Sequence, residues 1–467
     1  MTAFQEQAAA LLGPKGFLTD PAALAPHIRD WRGIFQGAAI GMALPASTAE
    51  AAALVRLCRD HGISIVPQGG NTGLSGAATP DAGGNNLVVN MRRMNRIRAL
   101  DPLNNTIVVE AGCILADIQS AAAQADRLFP LSLAAEGSCQ IGGNLSTNAG
   151  GINVLRYGNA RDLTLGLEVV LADGSVLDVL GGLRKDNTGY DLKQFFIGAE
   201  GTLGLITAAS LKLFPALRRR ATALVALGDI AAAPMVLARC RAATADQLVS
   251  FELLPRFGLA LARQHGGGRL PLDHPADWFL LIEAGSPSED IDISGSLERA
   301  LGEGMAAAEI ADGLLAESEA QRRELWRLRE AMVEAQPREG AGIKHDISVP
   351  VAAIPAFIRA ATEALAAHDS SLRPLIFGHV GDGNLHFNVL QPAGADPAGF
   401  QARTGEINRL VHDCVTAHQG SISAEHGIGQ LRREELARLK SPVVLAAMRA
   451  VKQALDPDGL FNPGKVL

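Results

Sequence analysis

Three glycine-rich segments in the first half of the chain set the strongest limit on what it can fold into. They read PQGGNTGLSG at 67–76, GSCQIGGNLSTNAGG at 137–151 and IGAEGTLGLIT at 197–207. Glycine-rich turns let successive backbone N–H groups point into one concavity, and such a nest binds a pyrophosphate without a lysine. In the first segment Pro67 leads into Gly69, Gly70, Gly73 and Gly76, with Asn71, Thr72 and Ser75 as added side-chain donors. Gly142, Gly143 and Asn144, then Thr147, Asn148, Gly150 and Gly151, offer a second polar wall of low bulk. Glu200, Gly201, Thr202 and Gly204, followed by Ile206 and Thr207, offer a third. One such loop is an ordinary turn; three together imply a long, extended cofactor. The chain contains neither GxGxxG nor GxxxxGK[ST], so a dinucleotide fold of the usual nicotinamide type and a P-loop ATPase lose their main support.

The elements around these loops read as α/β in texture. A helix capped by Ser47 or Thr48, with Ala52, Leu54, Val55 and Cys58 at helical spacing, feeds the strand ISIVP at 63–67. The first glycine loop follows that strand, and the chain resumes as a strand at 87–91. LGLEVVLADGSVLDVL at 165–180 reads as two strands turning at Asp173-Gly174. From residue 216 strands such as ATALVAL and WFLLIEAG alternate with alanine-rich helices, the pattern of an α+β domain on an antiparallel sheet. GGGRLPLDHP at 266–275 reads as a surface loop in it, and helices dominate from about 405 onward. The expected organisation is a two-part nucleotide-binding domain over 1–215, an α+β substrate domain over 216–405, and a helical segment over 406–467 returning to the first domain.

Five cysteines, widely spaced and without a CxxC pair, indicate neither a disulfide framework nor a zinc knuckle, and fit a reducing compartment. No apolar run approaches a membrane span, and the first residues do not read as a secretory signal; a cytoplasmic protein, with peripheral contact to an inner membrane left open, is the expectation. A net charge of -7 and scarce Trp and Tyr give no reason to expect a nucleic-acid partner.

Two polar segments stand out from the alanine-rich second half: GHVGDGNLHFNV at 378–389 and SAEHGIGQ at 423–430. His379 and His386 flank a turn that sets them across from each other, and His386 shares a strand face with Asn388. Two imidazoles and the Glu425 carboxylate make an ordinary three-ligand set for zinc or another borderline divalent ion. Read from the residues alone, each histidine is more often a structural or surface one. Asp382 in its GDGN turn reads as a cap for backbone N–H groups before it reads as a ligand.

The three glycine segments resemble the FAD-binding domain of the vanillyl-alcohol-oxidase type of FAD-linked flavoproteins, and the resemblance extends over nearly the whole chain, from DWRG at 30–33 to NPGK at 462–465. The nearest branch is that of the D-2-hydroxyglutarate, D-lactate and glycolate-oxidase-D-like enzymes. The resemblance implies FAD, with its pyrophosphate on Gly69–Gly73 and its flavin carried by 137–151, including Gly137 and Ser138, and by 200–207. It sets Asn462 against the isoalloxazine. No histidine stands in 67–76 or 130–160, so noncovalent FAD is expected, with Cys139 as packing. It also implies that His379, His386 and Glu425 bind a divalent metal, zinc before manganese, and that His426 is the base. Arg329 and Lys344 would hold the substrate carboxylate, and Asn388 would be a positioning donor. Val333, one helical turn past Arg329, lacks the hydroxyl expected of the D-2-hydroxyglutarate enzymes, which keeps D-lactate or another short hydroxy acid open. The expected partners are a small 2-hydroxy acid, an external electron acceptor such as an electron-transfer flavoprotein, quinone or cytochrome, and a second copy in a homodimer. An oxygen-using alcohol oxidase and a noncatalytic flavin-binding subunit of a larger complex are the rival readings.

Overall fold

The computed structural model describes residues 2–266 and 270–467. The expected surface loop at 266–275 is therefore seen only in part: residues 267–269 lie outside the described residues, and 270–275 carry no helix or strand. Contacts divide the chain into two compact units, the first of residues 1–151, 158–216 and 425–467, the second of 152–157 and 217–424.

The first unit holds two main sheets. One has the order Phe17–Leu18, Gly41–Ala43, Asn86–Asn90, Ser64–Gln68, and its last three strands run parallel. The helix Thr48–Asp60 carries the chain from Gly41–Ala43 across to Ser64–Gln68, and Asn86–Asn90 pairs in parallel between those two strands. That helix starts where Ser47 accepts from the Glu50 N–H, and it buries Ala51, Ala52, Leu54, Val55 and Cys58 along one stripe. Strand Ser64–Gln68 ends in the first glycine segment, so that loop sits at a strand's carboxyl end. The second sheet is antiparallel throughout, in the order Ile97–Asp101, Thr106–Glu110, Leu205–Lys212, Thr164–Val170, Val176–Val179. Its last two strands turn at Asp173-Gly174, as the sequence indicates. The end of the chain is stitched onto the first sheet, where Phe461 bridges Ile65 and is fully buried.

The second unit is α+β, again as expected. Its four-stranded antiparallel sheet has the order Leu248–Pro255, Trp278–Ser286, Arg219–Leu227, Ile310–Leu315. A three-stranded antiparallel sheet has the order Gly342–Ser348, Asn384–Leu390, Arg373–Phe377. A bridge from Leu253 to Gly378 joins the two. Helices Arg256–Gly266 and Glu319–Ala335 close one core, in which Leu254, Phe279, Leu328, Met332, Leu375 and Phe377 pack together.

The chain re-enters the first unit at Glu425 rather than near 406. Helix Thr404–Ala417 buries Ile407, Val411 and Val415 and packs on helix Ile354–His368 and strand Gly342–Ser348, which holds it in the second unit. Residues 152–157 also belong to the second unit, anchored where the Arg156 guanidinium donates to the Gly285 and Gln247 carbonyls.

Candidate active site

In the first unit the three glycine segments line one open cavity, walled by Pro67, Gly69, Gly142, Gly143, Thr147, Glu200, Gly201, Gly204 and Ile206. The backbone N–H groups of residues 70–73 have no acceptor among the described residues, and Asn71 holds a positive φ of 55°. That is the run of unbonded donors a pyrophosphate requires. Gly70 is demanded by packing, because a Cβ there would lie 2.1 Å from the Ser138 carbonyl oxygen. A Cβ on Gly73, Gly137 or Gly143 would meet nothing within 4 Å, so open space lies against these glycines. Gln140 Oε1, Asn144 Oδ1 and Asn462 Oδ1 are buried without a partner. A low-bulk cradle, free donors and orphaned acceptors together fit FAD.

Other residues expected to touch the cofactor are committed elsewhere. The Asn71 amide donates to the Pro26 and Arg29 carbonyls. Asn148 accepts from the Arg161 N–H, and Ser138 Oγ donates to the Ala135 carbonyl. Asn462 Nδ2 donates to the Ala77 and Glu200 carbonyls, leaving its oxygen for a ligand. Thr72, Gly76, Gly150 and Gly151 do not line the cavity itself. Burial raises the Cys139 thiol above its ordinary range, which makes it a poor nucleophile. Ser146, Ala77, Ala78 and Met91 line the cavity without having been singled out, since small or apolar residues carry no chemical signature.

The segment 425–432 lies in this same unit and is tied to the cradle. The Glu200 carboxylate accepts from the Ile428 and Gly429 N–H groups at 2.7 and 2.8 Å. Burial pushes its carboxyl up, against those two bonds. Ser75 Oγ donates to the His426 carbonyl at 3.0 Å and accepts from Arg432 at 2.9 Å. A Cβ at Gly150 would meet Glu425 Oε1 at 2.6 Å, so the second glycine wall makes room for that carboxylate.

In the second unit, strand pairing sets the polar groups on one face. Lys344 stands opposite Asn388, and Asp346 opposite His386, which stands in turn opposite Phe377. His379 follows the turn at Gly378; its ring centroid is 5.5 Å from that of His386, and their ligand nitrogens lie within 4.8 Å of each other. Asp346 Oδ1 is 3.8 Å from His386 Nδ1. Two imidazoles this close supply two of the donors that suit a borderline divalent cation. Asp382 accepts from the Asn384 N–H, the capping role read from its turn, and burial raises its carboxyl to about 6. Asn388 Nδ2 donates to Gln336 Oε1 at 2.8 Å, and the buried His345 bonds the Phe387 carbonyl oxygen through Nδ1 at 2.8 Å.

Glu252, which the sequence reading did not single out, organises this face. Its carboxylate has no exposure; Oε1 is 2.5 Å from His379 Nδ1 and Oε2 is 2.9 Å from Arg329 Nε. Burial alone would raise its carboxyl, but the charges of His379 and Arg329 and their hydrogen bonds win and hold it at about 2. Arg329 is buried, with its guanidinium 4.7 Å above the Phe377 ring. Only Nε is taken; its terminal nitrogens have no acceptor among the described residues. A glutamate inside the apolar run LVSFELLP was the available signal, since a buried charge demands partners.

A fold with this cradle and this polar face is that of an FAD-dependent oxidoreductase, and comparison with known proteins agrees. The FAD binding domain family model matches residues 39–180, and the model for the C-terminal domain of FAD linked oxidases matches residues 216–466. The chain belongs to the FAD-linked oxidase family. D-2-hydroxyglutarate dehydrogenase of Xanthomonas citri pv. viticola is 37% identical, over 96% of this chain and 93% of that protein. The mitochondrial D-2-hydroxyglutarate dehydrogenase of Bos taurus is 38% identical, over 97% of this chain and 81% of that protein. Among solved structures, p-cresol methylhydroxylase shares the fold with a TM-score of 0.79 at 17% identity, over 99% of this chain and 96% of that one. Among the described residues no helix is long and apolar enough to cross a membrane.

Proposed function

We propose that the protein is a dehydrogenase that oxidises a D-2-hydroxy acid, of the D-2-hydroxyglutarate or D-lactate type, to the 2-oxo acid. The observation that carries this reading is Arg329, a buried guanidinium held through Nε alone, on the face shared by Phe377 and His386. Its remaining fork suits a carboxylate, and Lys344 on the same face adds a second cation. The names of relatives matching nearly the whole chain support the substrate class.

Oxidation removes the hydroxyl proton and the C2 hydride of the substrate together. Bound FAD supplies the two-electron acceptor for that hydride. His426 takes the proton, an imidazole nitrogen being able to act as a general base. Its backbone is fixed by Ser75 and its neighbouring turn by Glu200. His379 and His386 are completed as metal ligands by Glu425. The Ala424 N–H donates to the Asp346 carbonyl, and Asp346 stands opposite His386 in the strand pair. A divalent cation there, zinc by its donor set, would lower the pKa of the substrate hydroxyl. Asn388 orients the substrate beside Lys344, and an external carrier, such as an electron-transfer flavoprotein, quinone or cytochrome, receives the electrons. Val333, exposed and apolar one turn past Arg329, offers no hydrogen bond to a second carboxylate.

The test is anaerobic mixing of the FAD-loaded, metal-analysed protein with D-2-hydroxyglutarate and D-lactate, each beside its L enantiomer, while flavin absorbance is followed. Bleaching by one D acid, lost on chelation, is the expected result. No bleaching by any of the four, with FAD and metal bound, would sink the hydroxy-acid reading.

A further inference from the structure

We infer that Glu252 is a positioning residue that sets two groups at once: the tautomer of His379 and the orientation of the Arg329 fork. An ionised carboxylate only accepts, so the His379 nitrogen 2.5 Å from Oε1 must carry its proton on Nδ1. A cation that binds His379 takes the place of any proton on Nε2, so the lone pair offered to it lies on the side of the ring away from Glu252. A histidine ligand fixed through its other nitrogen by a buried carboxylate is more basic and cannot rotate out of register. The second oxygen takes Arg329 Nε, which leaves the two terminal nitrogens as a pair for an anionic substrate.

Both contacts are long-range, from strand Leu248–Pro255 to helix Glu319–Ala335 and to the turn after strand Arg373–Phe377. The carboxylate sits at the bridge from Leu253 to Gly378 that joins the two sheets, so its position is fixed by backbone pairing. One fixed anion therefore sets the spacing between the cation-binding imidazole and the substrate-binding guanidinium. An amide cannot replace it. Glutamine has one acceptor oxygen for two donors, and its NH2 group faces either Arg329 or the His379 Nδ1–H.

The inference rests on the proposed metal-assisted dehydrogenation, and its test separates the two. In the FAD-loaded wild-type protein, stripped of metal and labelled with 15N-histidine, His379 is assigned by loss of its signals in His379→Gln. The expected spectrum has the proton on Nδ1, and added Zn2+ shifts Nε2 while Nδ1 keeps its proton. In Glu252→Gln, FAD content stays as in wild type, and Zn2+ affinity by chelator competition falls roughly 10–100-fold. At saturating Zn2+ the KM for the D acid rises about tenfold or more, as loss of a charge-assisted anchor implies. A wild-type His379 protonated only on Nε2 overturns the inference, even if the variant does not fold. So does a Glu252→Gln protein with unchanged Zn2+ affinity and unchanged KM. Wild-type protein that takes no Zn2+ while Nδ1 keeps its proton sinks the metal reading and leaves the role of Glu252 standing.

Discussion

At Gly70 a single methyl group decides whether the cradle can form. The clash of a Cβ there is with backbone, the Ser138 carbonyl oxygen at 2.1 Å and Cys139 Cα at 3.0 Å, so no side-chain rotation relieves it. Gly70→Ala is expected to give folded protein with little bound flavin, read from the ratio of flavin to protein absorbance; full FAD content would show that the loop does not need this approach. Arg329→Lys tests the fork at the same scale. A lysine keeps the charge near Glu252 but has no second pair of donors. The expected result is a raised KM for the D acid and a roughly unchanged FAD content, and an unchanged KM would assign the carboxylate to another cation. Residues with a local signature were legible in the sequence: glycines in a run, or two histidines across a short turn. Glu252 was not, because its meaning depends on Arg329 and His379, 77 and 127 residues away along the chain. The demand that a buried charge be paired could be read; the identity of the partners could not.

Elements whose pattern is local came through in the same way. The Ser47 cap, the apolar stripe on Thr48–Asp60 and the turn at Asp173-Gly174 are each set by neighbours within a few residues. The period-two alternation that sets His386 and Asn388 on one strand face needs only the strand. Helix Thr404–Ala417 was legible as a helix, but which unit its buried stripe would cover was not, since an amphipathic stripe names no partner. The turn at 427–429 raises the same problem in reverse: Gly-Ile-Gly reveals nothing until Glu200 is seen to accept from the Ile428 and Gly429 N–H groups. Glu200→Gln leaves one acceptor for two donors, and its expected effect is a lower kcat with FAD still bound, because the turn after His426 loses an anchor. A combined loss of FAD and activity would instead make Glu200 chiefly a cofactor residue.

Across the whole molecule, the sequence makes clear that two kinds of texture alternate, and the contacts show how often the chain passes between them: it leaves the first unit at 151, returns at 158, leaves again at 216 and returns at 425. Such passages leave no compositional mark, because a crossing is a few ordinary residues. The last return includes Lys465, which is almost fully buried, donates to the Pro463 carbonyl oxygen at 3.3 Å, and feels the charges of Asp81 and Arg433. Burial holds its ammonium down to about 8, from an ordinary 10.5, more than Asp81 restores. The unfolded chain then keeps this proton up to about 10.5 while the folded chain releases it near 8. Between those values the unfolded state binds more protons, so stability rises with pH; below 8 the penalty is present in full. One pKa unit corresponds to about 1.4 kcal/mol, and with partial solvation the penalty is roughly 2 kcal/mol. Lys465→Met is therefore expected to be the more stable protein at pH 7 by denaturant unfolding, with its advantage shrinking between pH 8 and 10.5. A variant less stable at pH 7, with a difference that does not change with pH, would mean that the ammonium is held by favourable contacts and that burial is not what governs it.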